Sequence, residues 1–352
     1  MSATHQFYPL TVSNLVRETR DAVRIDFSVP DRLKPLFQFE PGQYLTLRTN
    51  INGEEIRRSY SICSARSDDK LSVGIKAVPG GAFSEYANQL LSAGEVIDVM
   101  PPQGRFVASP AGKHYLALAA GSGITPILSM IQSRLAEDDS AIFTLCYGNR
   151  ATRDVMFLEQ LQALKDRYLT RFSWINVLSR EQQDVDLFAG RLDAEKLNTL
   201  FTCGLVDATS IDEALICGPS GFIDDAEQAL QSLGVTAIKT ERFGVPPATK
   251  PTSKTPQRDA ASVSIRLDGT QYQIELEDDD ESLIDAAERQ GVNVPYSCKN
   301  GMCCTCRCKL KSGQAEMALN FSLEPWEVEA GFVLACQLQP KSSKIEIDFD
   351  EQ

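Results

Sequence analysis

Five of the ten cysteines fall between Cys298 and Cys308, and four cysteines carry a spacing that can do chemistry. Cys298, Cys303 and Cys306 read C-x4-C-x2-C, and Cys336 follows after 29 intervening residues. That pattern suits a binuclear [2Fe–2S] centre. Four thiolates must converge on two irons, three from one tight loop and one from a distant element. Gly301 lies inside the loop, where backbone comes close to the sulfides and a positive φ is needed. The competing readings are a zinc site and unligated thiols. A four-Cys zinc site presents two short C-x2-4-C knuckles, whereas the second half here supplies a single cysteine. Cys304 and Cys308 read as small buried or partly exposed thiols, and Cys63, Cys146 and Cys203 as core residues.

A second set of residues could hold a flavin. Pro41-Gly42-Gln43-Tyr44 is followed by Arg58-Ser59-Tyr60-Ser61 and then by SVGIKAVPGGAFS, Ser72 to Ser84. An isoalloxazine with a diphosphate tail needs an aromatic face, a hydrogen-bond partner and a cation. On a strand, Arg58 and Tyr60 point one way and Ser59 and Ser61 the other. Gly81 to Ser84 can offer backbone N–H groups and a hydroxyl to a phosphate. A third set, HYLALAAGSGITPILSMI, reads as a buried strand, the turn Gly121-Ser122-Gly123, and a helix opened by Thr125 and Pro126. Pro126 is expected at the first helical position, with unpaired N–H groups beside it for a diphosphate. The stretch lacks the third glycine of GxGxxG, so it is not the dehydrogenase fingerprint.

The elements that must position these residues change character along the chain. Up to Ala108, short alternating segments (LTVSNLVRET, AVRIDFSV, QYLTLRT, LSVGIKAV, EVIDVM) are split by Gly, Pro and Asn, which predicts an antiparallel β-barrel or sandwich. From 109 to 243, apolar runs (HYLALAA, IFTLCYG, RFSWINVL, EALICGP) alternate with the amphipathic stretches TPILSMIQSRLAE and MFLEQLQALKDRY, which predicts βαβ units on a parallel sheet. GVPPATKPTSKTPQRDAA, residues 244–261, carries four prolines and reads as a linker. Residues 262–352 hold 8 Lys/Arg against 17 Asp/Glu, a separate acidic domain with net charge −9.

Composition narrows the function classes. A net charge of −13 disfavours nucleic acid or an anionic membrane as partner. Only two histidines, His5 and His114, are present, which weighs against a Rieske centre and against a multi-His zinc site. No apolar run reaches the ~18–20 residues a bilayer needs, and the amino terminus has no secretory pattern, so a cytoplasmic protein is expected.

PYSCKNGMCCTCRCKL and EAGFVLACQLQPKSSKIEID resemble the plant-type ferredoxins, and SVSIRLD, YQIELE and the helix DESLIDAAERQG, ended by Gly291, match a β-grasp order. The earlier motifs resemble the ferredoxin–NADP reductase family, which implies a flavin-binding barrel at 1–108, an NAD(P)-binding α/β domain at 109–243 and, here, a ferredoxin domain at 262–352. The resemblance implies that Arg58 and Ser84 hold the pyrophosphate of FAD, with FMN the alternative. Tyr60 would stack on the ring and Ser61 would sit near N5. Ser59, Ile75, Lys76, Gly81 and Phe83 match further flavin-contact positions. It also implies that Gly121, Gly123, Thr125 and Pro126 form the nicotinamide loop and that Cys217-Gly218-Pro219 lies near the nicotinamide ring, which makes Ser61 and Cys217 the catalytic candidates. Ser179 and Arg180 occupy the place where NADP-using relatives grip the 2′-phosphate, so NADPH is expected over NADH. Phe243 either covers the flavin or is a core residue.

ETRDAV, RSYSIC, AAGSGITP, YGNR and FSLEPWEVEAGFVLACQ are similar throughout to the reductase subunits of multicomponent bacterial oxygenases. The departure is Cys304, where relatives place a small non-Cys residue. The implied activity follows from electron counting: a hydride brings two electrons, an iron–sulfur centre takes one, and a flavin converts between them. The implied acceptor is an oxygenase component, a di-iron enzyme first, with a Rieske dioxygenase, a steroid hydroxylase or a hybrid-cluster protein as alternatives. A carrier module that does not oxidise nicotinamide, and a diaphorase without a dedicated acceptor, remain distinct readings.

Overall fold

The computed structural model describes residues 6–243, 261–277 and 279–351. Two compact units result, one over Phe7–Phe243 and one over Gly244–Gln352 with Met1–Gln6. The linker expected at 244–261 lies outside the described residues except for Ala261, which opens a strand.

The first unit begins with β1 (Tyr8–Thr19), β2 (Ala22–Ser28), β3 (Tyr44–Ile51), β4 (Glu54–Ser61), β5 (Leu71–Lys76), α1 (Ala82–Gln89) and β6 (Val96–Val99). The strands pair antiparallel in the order β4-β3-β6-β1-β2-β5. Beyond β4, Ile62 bridges Val73 of β5 and Cys63 N donates to Ser72 O at 2.9 Å, so the sheet closes into a barrel. Alternation does the sorting: Leu10 and Val12, Val23 and Ile25, Leu45 and Leu47 point inward and are fully buried. α1 stops one end with Phe83 and Ala87, both 1% exposed. The sequence pattern marks only a phosphate loop at the start of this helix.

Then follow β7 (His114–Ala120), α2 (Ile124–Glu137), β8 (Ile142–Asn149), α3 (Leu158–Arg167), β9 (Phe172–Leu178), α4 (Ala194–Thr202), β10 (Glu213–Gly218), α5 (Ser220–Ser232) and β11 (Ile238–Arg242). The five strands are parallel in the order β11-β10-β7-β8-β9. The strands read as unbroken apolar runs because helices cover both faces. The chain runs outward from β7 to β9 and then crosses back to β10. The topological switch therefore falls between β7 and β10, where an α/β sheet opens a crevice at its carboxyl ends. Pro126 is the third residue of α2, not the first, because the glycine turn Gly121–Gly123 is itself a 3-10 turn that runs into the helix. Ser122 O, the carbonyl four residues before Pro126, accepts instead from Thr125 Oγ1 at 3.0 Å. Cys203 is exposed rather than core: it ends α4 at the rim, with Sγ donating to Leu200 O at 3.4 Å.

Barrel and sheet share a core in which Ala22, Cys63 and Phe106 pack with Ile127, Met130 and Tyr147. Polar bonds fix the same seam. Ser129 Oγ of α2 donates to Ser64 O at 2.7 Å, and Arg66 N donates to Ser133 Oγ at 2.9 Å.

The second unit contains β12 (Ala261–Leu267), β13 (Thr270–Leu276), α6 (Leu283–Arg289), β14 (Arg307–Ser312), β15 (Ala315–Met317), α7 (Pro325–Glu329), β16 (Phe332–Leu334), β17 (Leu338–Pro340) and β18 (Lys344–Asp348). Its mixed sheet runs β13-β12-β18-β14-β16, with β15-β17 as a separate pair. Asp268-Gly269, both at positive φ, make the tight β12–β13 turn. Ser282 caps α6 by accepting from Asp285 N, and Gly291 follows at φ +79° to stop it. Among the described residues no helix is long and apolar enough to cross a membrane.

Candidate active site and cluster loop

β4 carries the flavin candidates on the barrel. Tyr60 is half-buried against Phe83, with ring centroids 5.5 Å apart, and burial pushes its phenol up, which keeps it neutral. Ser59 Oγ lies 3.3 Å from Thr46 Oγ1, and Arg58 is exposed with Nη1 on Arg57 O at 2.7 Å. In the loop before α1, Ser84 Oγ accepts from Val78 N at 3.1 Å and donates to Gly81 O at 3.0 Å. Its single proton therefore shapes the loop, and the backbone N–H groups of the first turn of α1 are what that loop presents. A Cβ on Gly81 would come 2.5 Å from that hydroxyl, so the close loop needs glycine. Ile75 is wholly buried in the barrel core, so its side chain does not reach this surface, and Lys76 Nζ lies 3.7 Å from Asp21 Oδ2.

The switch point brings the two candidate nicotinamide loops into contact. Gly123 packs so tightly on the end of β10 that a Cβ would fall 2.0 Å from Cys217 O. Tyr147 OH donates to Gly121 O at 2.8 Å, and Thr125 Oγ1 donates to Ser122 O at 3.0 Å. Gly218 abuts the Phe222 ring, and Pro219 caps α5. Phe243 N donates to Gly218 O at 3.1 Å, and its ring packs partly buried on the shared core.

One residue is invisible to the sequence pattern. Glu241 sits beside Cys217 in the β10–β11 register, and Ser61 Oγ of the barrel donates to Glu241 Oε2 at 3.0 Å. The two catalytic candidates thus meet through a carboxylate from the last strand. Burial first, and the Glu241 charge second, hold the Cys217 thiol well above its ordinary range. Glu241 stands in ERFG, at the end of a strand too short and polar for the apolar-run rule to find.

At the far edge of the sheet, Ser179 N and Arg180 N donate to Asn149 O at 2.9 Å and to Arg150 O at 2.7 Å. That lacing sets the exposed arginines Arg150 and Arg180 on neighbouring loops. Glu181 is spent on the loop: it accepts from Thr152 N at 2.7 Å and Thr152 Oγ1 at 2.6 Å. These bonds hold its carboxyl below the ordinary range.

In the second unit the four predicted cysteines fall into two pairs. Hydrogen bonding with Cys303 lowers Cys298 to about 7 and raises Cys303, and Cys306 likewise holds Cys336 down while being raised itself. Two pairs are what two irons ask for. Donors surround the sulfurs: Asn300 N on Cys298 at 3.4 Å, Cys336 N on Cys306 at 3.5 Å and Gln337 Nε2 on Cys336 at 3.6 Å. Such bonds favour the anionic thiolates that iron requires. Gly301 adopts φ +72°, as the loop demands, and a Cβ there would fall 2.9 Å from Leu319 O. Cys304 donates to Ser322 O at 3.2 Å and Cys308 is fully buried, so both stand as the extra thiols expected.

Comparison with known proteins fits this geometry. Residues 9–107 match the oxidoreductase FAD-binding domain, 117–228 the oxidoreductase NAD-binding domain and 265–341 the 2Fe-2S iron-sulfur cluster binding domain. A component of the 1,2-phenylacetyl-CoA epoxidase of Escherichia coli (strain K12) is 46% identical over 98% of both chains. The ferredoxin reductase component of the 3-ketosteroid-9-alpha-monooxygenase of Rhodococcus rhodochrous is 33% identical over 97% of this chain and 96% of that one. The chain belongs to the oxygenase reductases. Phthalate dioxygenase reductase has the same fold, with a TM-score of 0.61 at 22% identity over 97% of this chain and 98% of that one.

As an oxygenase reductase the protein passes electrons from NAD(P)H through FAD and a [2Fe–2S] cluster to an oxygenase component. Bound FAD would supply the conversion of a hydride's electron pair into single electrons, and the cluster would supply a one-electron carrier. The protein's residues supply placement. Ser61 has its one proton committed to Glu241, so toward a flavin it offers only lone pairs.

Proposed function

We propose that this oxygenase reductase serves a phenylacetyl-CoA epoxidase whose oxygenase component is a di-iron enzyme, with NADPH as the donor. The reading of the acceptor is carried by the 46% identity, over nearly the whole length, to the Escherichia coli epoxidase component. NADPH is supported by Arg180 and Arg150, two exposed guanidiniums on loops laced to each other beside the sheet edge, with Glu181 turned to Thr152. A 2′-phosphate is a dianion that a pair of guanidiniums recognises in bidentate fashion.

In this reading Arg58 and the first turn of α1, shaped by Gly81 and Ser84, hold the flavin pyrophosphate. Ser59 and Tyr60 take the ring, Ser61 and Cys217 flank the hydride path, and Glu241 positions Ser61. Phe83 backs Tyr60, while Ile75 and Lys76 contribute backbone. Gly121, Gly123, Thr125, Pro126, Gly218 and Pro219 shape the nucleotide crevice, and Cys298, Cys303, Cys306 and Cys336 ligate the irons. The functional boundaries lie at 108/109 and at the linker 244–261, close to the ends of the three domain matches. A cytoplasmic setting is supported by the cysteines, none of which is joined in a disulfide among the described residues, since thiols stay reduced there.

Reconstitution tests the acceptor. The reductase, NADPH, phenylacetyl-CoA and the purified oxygenase component should give epoxide at a rate that scales with reductase. Rapid cytochrome c reduction with no epoxide would overturn the assignment of the acceptor and leave the reductase activity standing.

A further inference from the structure

We propose that α7 of the ferredoxin unit, through the exposed side chains of Trp326 and Val328 and the flanking carboxylates Glu324 and Glu329, is the surface that docks the oxygenase component. The inference rests on the reading that an oxygenase is the acceptor.

Among the described residues of the ferredoxin unit, Trp326, 58% exposed, and Val328, 42% exposed, are the large apolar side chains left at the surface, and both stand on α7. Tryptophan is also the residue type that most often anchors an interface. The helix is held rigidly. Glu327 is 1% exposed, accepts from Glu324 N at 3.1 Å in a capping box, and accepts from Arg307 Nε at 2.8 Å. Arg307 is next in sequence to the ligand Cys306, and its guanidinium lies 3.4 Å from the Phe332 ring centroid. A patch fixed before binding loses little freedom on docking.

Its place suits electron exit. Cys306 and Cys336 are buried, whereas Cys298 and Cys303 are only partly so, and the cluster loop meets solvent on their side. The segment leading into α7 is bonded to that loop: Phe321 N and Ser322 Oγ both donate to Gly301 O at 3.1 Å, and Ser322 O accepts from Cys304 Sγ at 3.2 Å. Charge selects the partner. Residues 262–352 hold −9 of the chain's −13, so residues 1–261 are themselves net negative, at −4, and a basic face on a separate protein is the complementary surface.

The test uses the full-length holoprotein with Trp326→Ala and, separately, Glu329→Lys. Three rates are read: ferricyanide reduction for the flavin, cytochrome c reduction for the cluster, and epoxide formation against oxygenase concentration. For Trp326→Ala the first two should stay within about twofold of wild type, while the oxygenase concentration giving half-maximal rate rises about 10- to 30-fold. Glu329→Lys should raise it less and flatten its salt dependence. Wild-type protein that reduces cytochrome c but never drives the oxygenase would overturn the assignment of the acceptor, and this inference with it. A wild type that drives it equally well with Trp326→Ala would overturn this inference alone. A variant slowed equally in cytochrome c reduction would place the patch on the chain's own flavin-to-cluster step, which also contradicts it.

Discussion

The proposed cluster loop and the proposed hydride site are built on opposite principles. Three of the four proposed cluster cysteines come from nine consecutive residues, and the loop needs one glycine and one distant turn to complete it. The hydride site draws on β4, the turn after β7, the end of β10 and the polar strand β11, four places spread over 180 residues between Ser61 and Glu241. The first site is written as spacing. The second exists only once a barrel and a parallel sheet have shared a core. A loop-borne site should therefore fail one ligand at a time and leave its neighbours intact, whereas a seam-borne site should fail through residues that hold no cofactor.

The largest effect expected is at the loop. Cys336→Ser should abolish the [2Fe–2S] spectrum and cytochrome c reduction while flavin content and ferricyanide reduction remain, read from the visible spectrum and steady-state rates. Flavin lost along with the cluster would break the comparison. Next comes the seam. Glu241→Ala should slow ferricyanide reduction about 100-fold with flavin content unchanged, because Ser61 loses the acceptor that orients its proton. A change in KM alone would assign Glu241 to nucleotide binding. Smaller again, Arg180→Ala should raise the KM for NADPH about tenfold and that for NADH less than about twofold. Equal shifts would make Arg180 a structural residue.

Least visible at neutral pH is a charge buried on the outer face of β2. Burial alone would raise Asp26, but the Ser72 hydroxyl at 2.7 Å and the Arg24 guanidinium at 2.9 Å outweigh it and hold the carboxyl below its ordinary 3.8. A depressed carboxylate stabilises the fold above its unfolded pKa, and that stability is lost as pH falls through the folded value. Thermal unfolding of the flavoprotein unit should therefore steepen its pH dependence below about pH 4. Asp26→Asn should be less stable at pH 7 and flatter across that acid range.

The same contrast explains what can be read from residues alone. The glycine at Gly301 and the apolar runs of β7 to β10 are local patterns, and each reappears at its expected place. Glu241 escapes such patterns because β11 is half-exposed and polar, so only its neighbours in three dimensions mark it. Cys203 reads as a core residue because cysteine is commonly buried, yet it ends a helix at the rim. Pro126 lies two positions beyond its expected place because the preceding glycines are themselves helical. α1 is hidden because its start, Gly81 to Ser84, looks complete as a phosphate loop.

The claim on which the account stands is that nicotinamide, flavin and iron–sulfur cluster act in series in one chain. Stepwise anaerobic addition of NADPH, followed by visible and EPR spectra with iron and acid-labile sulfide assayed on the same sample, tests it most directly. The account predicts about two irons and two sulfides per chain, bleaching of both flavin and cluster bands, and the EPR signal of a reduced binuclear centre. Bound zinc, no labile sulfide, or a cluster that stays oxidised while the flavin bleaches would contradict it.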